Sequence, residues 1–127
     1  MKPEVEGAIA EIRAAFPDAT VTARDDGQGG AYVIVDAPGI GTAYVTSTSW
    51  VGFRITFQYP YADTYPHFVR GDLARCDRSP LCEGLSAGHT FEERPAIQVS
   101  RRSNHLDPRT ETALIKLQKV LEWLRNR

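Results

Sequence analysis

Between Trp50 and Phe68 the chain changes character, and that change constrains what the rest of it can build. Val51, Phe53, Ile55 and Phe57 alternate with Gly52, Arg54, Thr56 and Gln58, so a strand here carries an apolar row on one sheet face and leaves the other wet. Pro60 removes a ladder donor and biases Tyr59 towards extended geometry. Tyr65-Pro66 repeats the instruction, so the chain is expected to leave the sheet along a stiff, non-helical path. A long rigid loop is predicted to follow, and loops held on a scaffold are frequent seats of function.

Helical periodicity brackets this strand. Val5, Ile9, Ile12 and Phe16 form one stripe, with Glu4 and Glu6 at the positive end of the dipole and Pro17 forcing a stop, which predicts a helix over 3–16. Thr20 to Arg24 and Ala31 to Asp36 read as two antiparallel strands joined by the turn Asp25-Asp26-Gly27-Gln28-Gly29-Gly30. Gly29-Gly30 has neither the following helix nor the Lys-Ser/Thr of a phosphate cradle. After the turn Pro38-Gly39-Ile40-Gly41, Ala43 to Thr48 leads into the strand of the first paragraph.

From Val69 to Gln98 the breakers Pro80, Gly84 and Gly88 and the alternating charges predict mostly loop, with a short strand at His67 to Val69 and an apolar edge at Ala96 to Val99. Asp107-Pro108 reads as a helix start, with an N-cap acceptor ahead of proline at the first helical position. Ala113, Leu114, Leu117, Val120, Leu121 and Leu124 then draw the buried stripe, with Lys116, Lys119, Arg125 and Arg127 read towards the negative end. The expected fold class is α+β: an N-terminal helix, an antiparallel meander of three to four strands, a long loop and a C-terminal helix packed on the sheet.

One core and one domain, residues 1–127, fit this length, and the ordinary apolar and charged fractions (42% and 24%) argue against disorder. Residues 1–39 hold three bases and seven acids, a balance of −4, so the remainder of a chain of net charge −1 carries +3. That is too mild for a dedicated nucleic-acid protein. No apolar signal core or bilayer-length run is present, so a cytoplasmic protein without membrane partners is expected, and Cys76 and Cys82 read as free thiols.

In order, the helix, the meander, the exit through Tyr59-Pro60 and Tyr65-Pro66, the cysteine-bearing loop and the Leu/Trp-rich helix resemble the ubiquitin-conjugating enzyme fold. The residue-level likeness lies in Phe53-Arg54-Ile55-Thr56-Phe57 running into Tyr59-Pro60. The family implies a loop cysteine that accepts a ubiquitin-like modifier as a thioester and passes it to an amine. Cys82, 22 residues after Pro60, matches that nucleophile by position, and Cys76 is the alternative. The family's His-Pro-Asn tripeptide is absent, which leaves the oxyanion donor unassigned. The chain is similar also to the divergent bacterial branch, with His89 and Ser100-Arg101-Arg102 before the last helix. That branch implies a modifier, its activating enzyme and a deconjugating peptidase as partners. Relatives of the RWD type have no nucleophile and only bind partners.

A thiolate needs cationic company. Arg75 and Arg78 flank Cys76, while Cys82 has only Glu83 beside it and would draw on Arg101 or Arg102 through the fold. The candidate catalytic set is therefore Cys82 (or Cys76), with His89, Arg101 and Asn104 to stabilise an oxyanion and admit an amine. Arg102 and His105 are the candidate binding residues for an anionic partner. The competing reading makes the 100–105 cluster a hydrogen-bonded anchor for the loop. Five residues separate the two cysteines, outside the usual two to four of zinc-site pairs, so neither metal nor cofactor is expected.

Overall fold

The computed structural model describes residues 1–103 and 106–127. Its order is α1 (Pro3–Ala15), β1 (Thr20–Asp25), β2 (Ala31–Asp36), β3 (Val51–Ile55), β4 (His67–Arg70), β5 (Leu85–Phe91), β6 (Arg94–Val99) and α2 (Ala113–Arg125). All six strands form one antiparallel sheet in the order β1-β2-β3-β4-β6-β5. The α+β class expected from the sequence is what the chain adopts, with more strands than the three to four predicted.

Period-two alternation divides the sheet into two unlike faces. Val33 and Val35 of β2, Val51, Phe53 and Ile55 of β3, Val69 of β4, and Ile97 and Val99 of β6 point to one side. There they meet Val5, Ile9 and Ile12 of α1 and Leu117, Val120, Leu121 and Leu124 of α2 in a single core. α1 and α2 touch each other on this face. Among the described residues the opposite face carries no helix. Its cover is Ile34, Phe91 and Ala96, with Tyr32, Trp50 and Phe68 against them.

Four local expectations are corrected by the structure. The predicted loop over 69–98 contains the β5–β6 hairpin: Val69 pairs with Ile97, and β5 hangs on the far side of β6. A register shift between Ser86 and His89, in a stretch exposed at Ser86, Ala87 and Gly88, breaks the alternation that would have announced this edge strand. Phe57, read as part of the apolar row, is 51% exposed, because β3 ends at Ile55 and the chain turns with Tyr59 N–H donating to Thr56 O at 3.0 Å.

The last helix begins at Ala113 rather than Asp107. Asp107 closes an isolated turn instead, accepting from Thr110 and Glu111 N–H, and Thr112 caps α2 by accepting from Ile115 N–H at 3.2 Å. Lys116 consequently lies in the first turn, at the positive end of the dipole, where a cation is disfavoured unless something else holds it.

Two hydroxyls tie α2 down. Tyr59 Oη accepts from Ala113 N–H at 2.9 Å, and Tyr44 Oη donates to Leu124 O at 3.1 Å. Both ends of the helix are thereby fastened to the segments that flank β3.

On the open face, Phe91 stacks on Phe68 at 5.2 Å and meets Trp50 at 6.3 Å and Tyr32 at 6.1 Å. Only glycine lets it lie there, since a methyl group at Gly52 would fall 2.6 Å from two Phe91 ring carbons and 3.1 Å from Trp50. Gly52→Ala is therefore expected to cost about 1–3 kcal/mol in urea unfolding. Adding Phe91→Leu should return part of that loss, and an unchanged midpoint for Gly52→Ala alone would refute this packing.

Candidate functional site

Between β4 and β5 the chain is irregular and holds both thiols. It is stitched to the 42–45 segment: Cys76 N–H donates to Ala43 O at 2.9 Å, Val45 N–H to Ala74 O at 2.8 Å, and Tyr44 bridges to Arg75. Cys76 is exposed, and its thiol donates to Thr42 O at 3.6 Å. Of the two cations that flank it in sequence, Arg75 is spent elsewhere, lying 3.7 Å from Asp77 and 6.0 Å over the Tyr44 ring.

Cys82 is half-buried, and its carbonyl accepts from Leu85 N–H at 3.3 Å. Its neighbours Leu81 and Leu85 pack against the helix-side core. Burial raises the Tyr44 phenol above its ordinary value and the adjacent Cys82 raises it further, against the lowering influence of Arg75 and Arg127. Gly84, two residues on, lies against Trp123 in the last turn of α2.

His89 is elsewhere. It projects on the open face, 6.2 Å from the Phe68 ring, with Ser86 Oγ 3.4 Å from its Nε2. Leu85 packs on the helix-side core while His89 packs on Phe68 of the open face, and Ser86 lies between them at the sheet edge, on the rim of the hollow lined by Glu83, Gly84, Arg101 and Trp123.

Arg101 and Arg102 are exposed and turn their guanidiniums onto aromatic rings, Arg101 at 5.2 Å from Trp123 and Arg102 at 4.6 Å from Tyr65. Arg127 covers Trp123 as well, at 4.7 Å. Gly84, at φ +95°, brings the end of the Cys82 segment against the indole edge, where a methyl group would sit 3.1 Å from the ring. Arg101 therefore lies along the same groove as the Glu83-Gly84 turn, and Arg102 lies further along it. Asn104 and His105, the remaining candidates, fall outside the described residues. No three metal-ligating side chains gather among the described residues.

The anchor of this segment is a group the sequence did not single out. Lys116 Nζ, on a side chain only 5% exposed, donates to Asp63 Oδ2 at 3.2 Å and to Ser103 Oγ at 2.7 Å. Ser103 N–H donates to Asp63 at 2.8 Å, and Ser103 Oγ lies 2.9 Å from Glu111 Oε1. Glu111 takes Lys119 at 2.8 Å. Burial works against the Glu111 charge, but Lys119 and Ser103 outweigh it and hold the carboxyl below its usual range. The hydrogen-bonded anchor of the 100–103 segment is therefore made by Ser103, which leaves both arginine side chains outside it.

His67 completes the interior polar set. It is fully buried on the helix side, 5.0 Å from Phe53, and neither ring nitrogen has a hydrogen-bond partner among the described residues. Burial, reinforced by the Lys116 cation and opposed by Asp63, pushes its pKa down to about 3, so it is neutral at pH 7. Pairing β4 to β3 would have found it, because His67 lies opposite the inward Phe53.

A base depressed in the folded state takes up its proton only on unfolding between about pH 3 and its ordinary 6.5. Its contribution is fully present above pH 6.5 and is lost as pH falls towards 3, at up to about 1.4 kcal/mol per pH unit. His67→Leu should remove that part of the slope in urea melts at pH 4, 5 and 7, and identical slopes for both proteins would exclude it. Asp63→Ala strands the Lys116 charge and is expected to cost about 3–5 kcal/mol at pH 7, with much of the loss returned by adding Lys116→Met.

Among the described residues no helix is long and apolar enough to cross a membrane. Compared with known proteins, the chain matches no family model, no curated protein and no solved structure.

Proposed function

We propose that this chain is a divergent ubiquitin-conjugating-like domain of a bacterial-type ubiquitin-like modifier pathway, and that it works there by holding a partner protein. Support for the family reading is the order of parts: α1, an antiparallel run β1 to β4 leaving β3 through two Tyr-Pro pairs, an irregular cysteine segment and α2 on the α1 side of the sheet. The β5–β6 hairpin is an addition to the order of elements that the resemblance implied. One observation carries the choice of a binding role in the manner of RWD-type modules. His89, the base nearest to Cys82 in the downstream sequence, packs on Phe68 of the open face with Ser86 beside it, and among the described residues no imidazole bonds to the thiol to take its proton or the amine's.

A second reading makes Cys82 the modifier's thioester carrier, and what favours it is a half-buried thiol in irregular backbone beside the Arg101 groove. An exposed cation there can stabilise a thiolate or a tetrahedral oxyanion.

One reconstitution separates the two. The chain is incubated with a bacterial ubiquitin-like modifier, its activating enzyme and ATP, and both binding and adducts are followed. The binding role predicts association with the modifier or the activating enzyme, equal affinity for Cys82→Ala, and no adduct released by thiol reductant. An adduct that disappears in Cys82→Ala and becomes reductant-resistant in Cys82→Ser transfers the assignment to the carrier. Neither association nor adduct would overturn both readings.

A further inference from the structure

Along the outward side of α2 run two adjoining hollows of about 250 and 560 Å³ that share Arg101 and Trp123. Arg102, Ser103, Glu111 and Lys119 line one end, and Glu83, Gly84 and Arg127 the other. From this groove we infer a docking site for an acidic peptide segment, whose carboxylates are taken by Arg101, Arg102 and Arg127. The inference is independent of any chemistry at Cys82 and of the pathway in which the domain works.

Charge pairing and aromatic support together single out these three arginines: Arg13, Arg78 and Arg125 also lack a carboxylate among the described residues, but none of them lies over a ring, and Arg13 and Arg125 donate to the carbonyls of Val21 and Gly39. Arg24, Arg54, Arg70, Arg94 and Arg109 each have a carboxylate, Glu92, Asp26, Asp72, Asp36 and Asp107 respectively. Arg101, Arg102 and Arg127 pair with no carboxylate among the described residues; their guanidiniums rest on Trp123 and Tyr65. A ring face steadies a guanidinium while leaving its N–H edge free, and that edge is the fork that meets a carboxylate with two parallel hydrogen bonds. Lys116 and Lys119 add nothing to this count, being neutralised by Asp63 and Glu111.

The occupant follows from shape and from what the rings are already doing. From Lys116 to Trp123 the helix carries the groove for roughly 10 Å at 1.5 Å per residue. Three or four extended peptide residues cover that distance at ~3.3 Å each. Single-stranded nucleic acid fits less well, because base stacking needs an open aromatic face and Trp123 already carries Arg101 and Arg127. Glu83 at one end also repels a continuous phosphate backbone, whereas a peptide sets its carboxylates at intervals.

The test uses the full chain with Trp50→Phe, so that Trp123 is the sole tryptophan reporter. A blocked hexaglutamate peptide is expected to change its fluorescence saturably, and hexaglutamine to leave it unchanged. Arg101→Ala and Arg127→Ala, on separate elements lining the groove, should each weaken hexaglutamate binding about five- to tenfold, as loss of a charged fork does. Far-ultraviolet circular dichroism verifies that both variants fold, and if one does not, the other decides. Native affinity in the folded variants overturns the proposal. So does equal binding of hexaglutamine, or tighter binding of octathymidylate, which would make the groove a nucleic-acid site.

Discussion

Both helices have to bury their apolar stripes on one face of one sheet, and the rest of the molecule follows from that constraint. With α1 and α2 side by side over β2, β3, β4 and β6, the helix side holds almost every large buried aliphatic residue. The other face, bare of helices among the described residues, has to cover itself. It does so with the aromatic group Tyr32, Trp50, Phe68 and Phe91, seated close to the backbone over Gly52. Arginines spread across the rim of that group, Arg24 and Arg54 over Tyr32 and Arg94 over Trp50, their stems shielding carbon and their charges matched by acids. The result is a face that is aromatic yet electrically balanced.

Where the helix layer meets the exit from β3, burial runs into polar chemistry. Taking an ammonium group out of water costs several kcal/mol, so Lys116 survives beneath the 100–103 segment only because Asp63 and Ser103 supply a charge and a lone pair. Asp63 belongs to the stretch between the two Tyr-Pro pairs, and Ser103 to the strap ahead of α2. One buried cation therefore joins three segments distant in sequence. The same cation helps keep His67 neutral, so the two interior bases are electrostatically dependent and are best regarded as one unit.

Regular periodicity made much of this legible in the sequence. The α1 stripe at Val5, Ile9 and Ile12 and the alternation through Val51, Phe53 and Ile55 each predict the face that is buried, because a single rotation or flip decides inside from outside. Elements stabilised from afar were not legible. β5 has a bulge and an exposed run through Ser86, Ala87 and Gly88, and it exists because β6 offers it a partner. Asp107-Pro108 carries good capping chemistry, but the turn it starts does not continue, and Thr112, with Tyr59 beneath the first N–H of the helix, supplies the cap instead. Among the candidate site residues, the sequence could nominate Cys82, His89 and Arg101 by type. It could not say that Arg101 borders one groove with the Glu83-Gly84 turn next to Cys82 while His89 packs on Phe68 of the open face, since a one-residue change in register exchanges the two faces.

That separation bears on how such a scaffold can specialise. Nucleophilic catalysis needs thiol, base and oxyanion donor within a few ångströms, a demand that one displaced strand residue defeats. Binding is more tolerant, since several exposed charges contribute in parallel and none has to meet a reacting atom. On the open face the arginines are neutralised by their own chain, which removes the long-range attraction that would draw an anion there. Along α2 the charges of Arg101, Arg102 and Arg127 are left free over aromatic supports, beside the irregular segment that ends at Gly84. A chain of net charge −1 thus sets three unpaired guanidiniums together on aromatic supports along one side of one helix, and that side is where an acidic partner has most to gain.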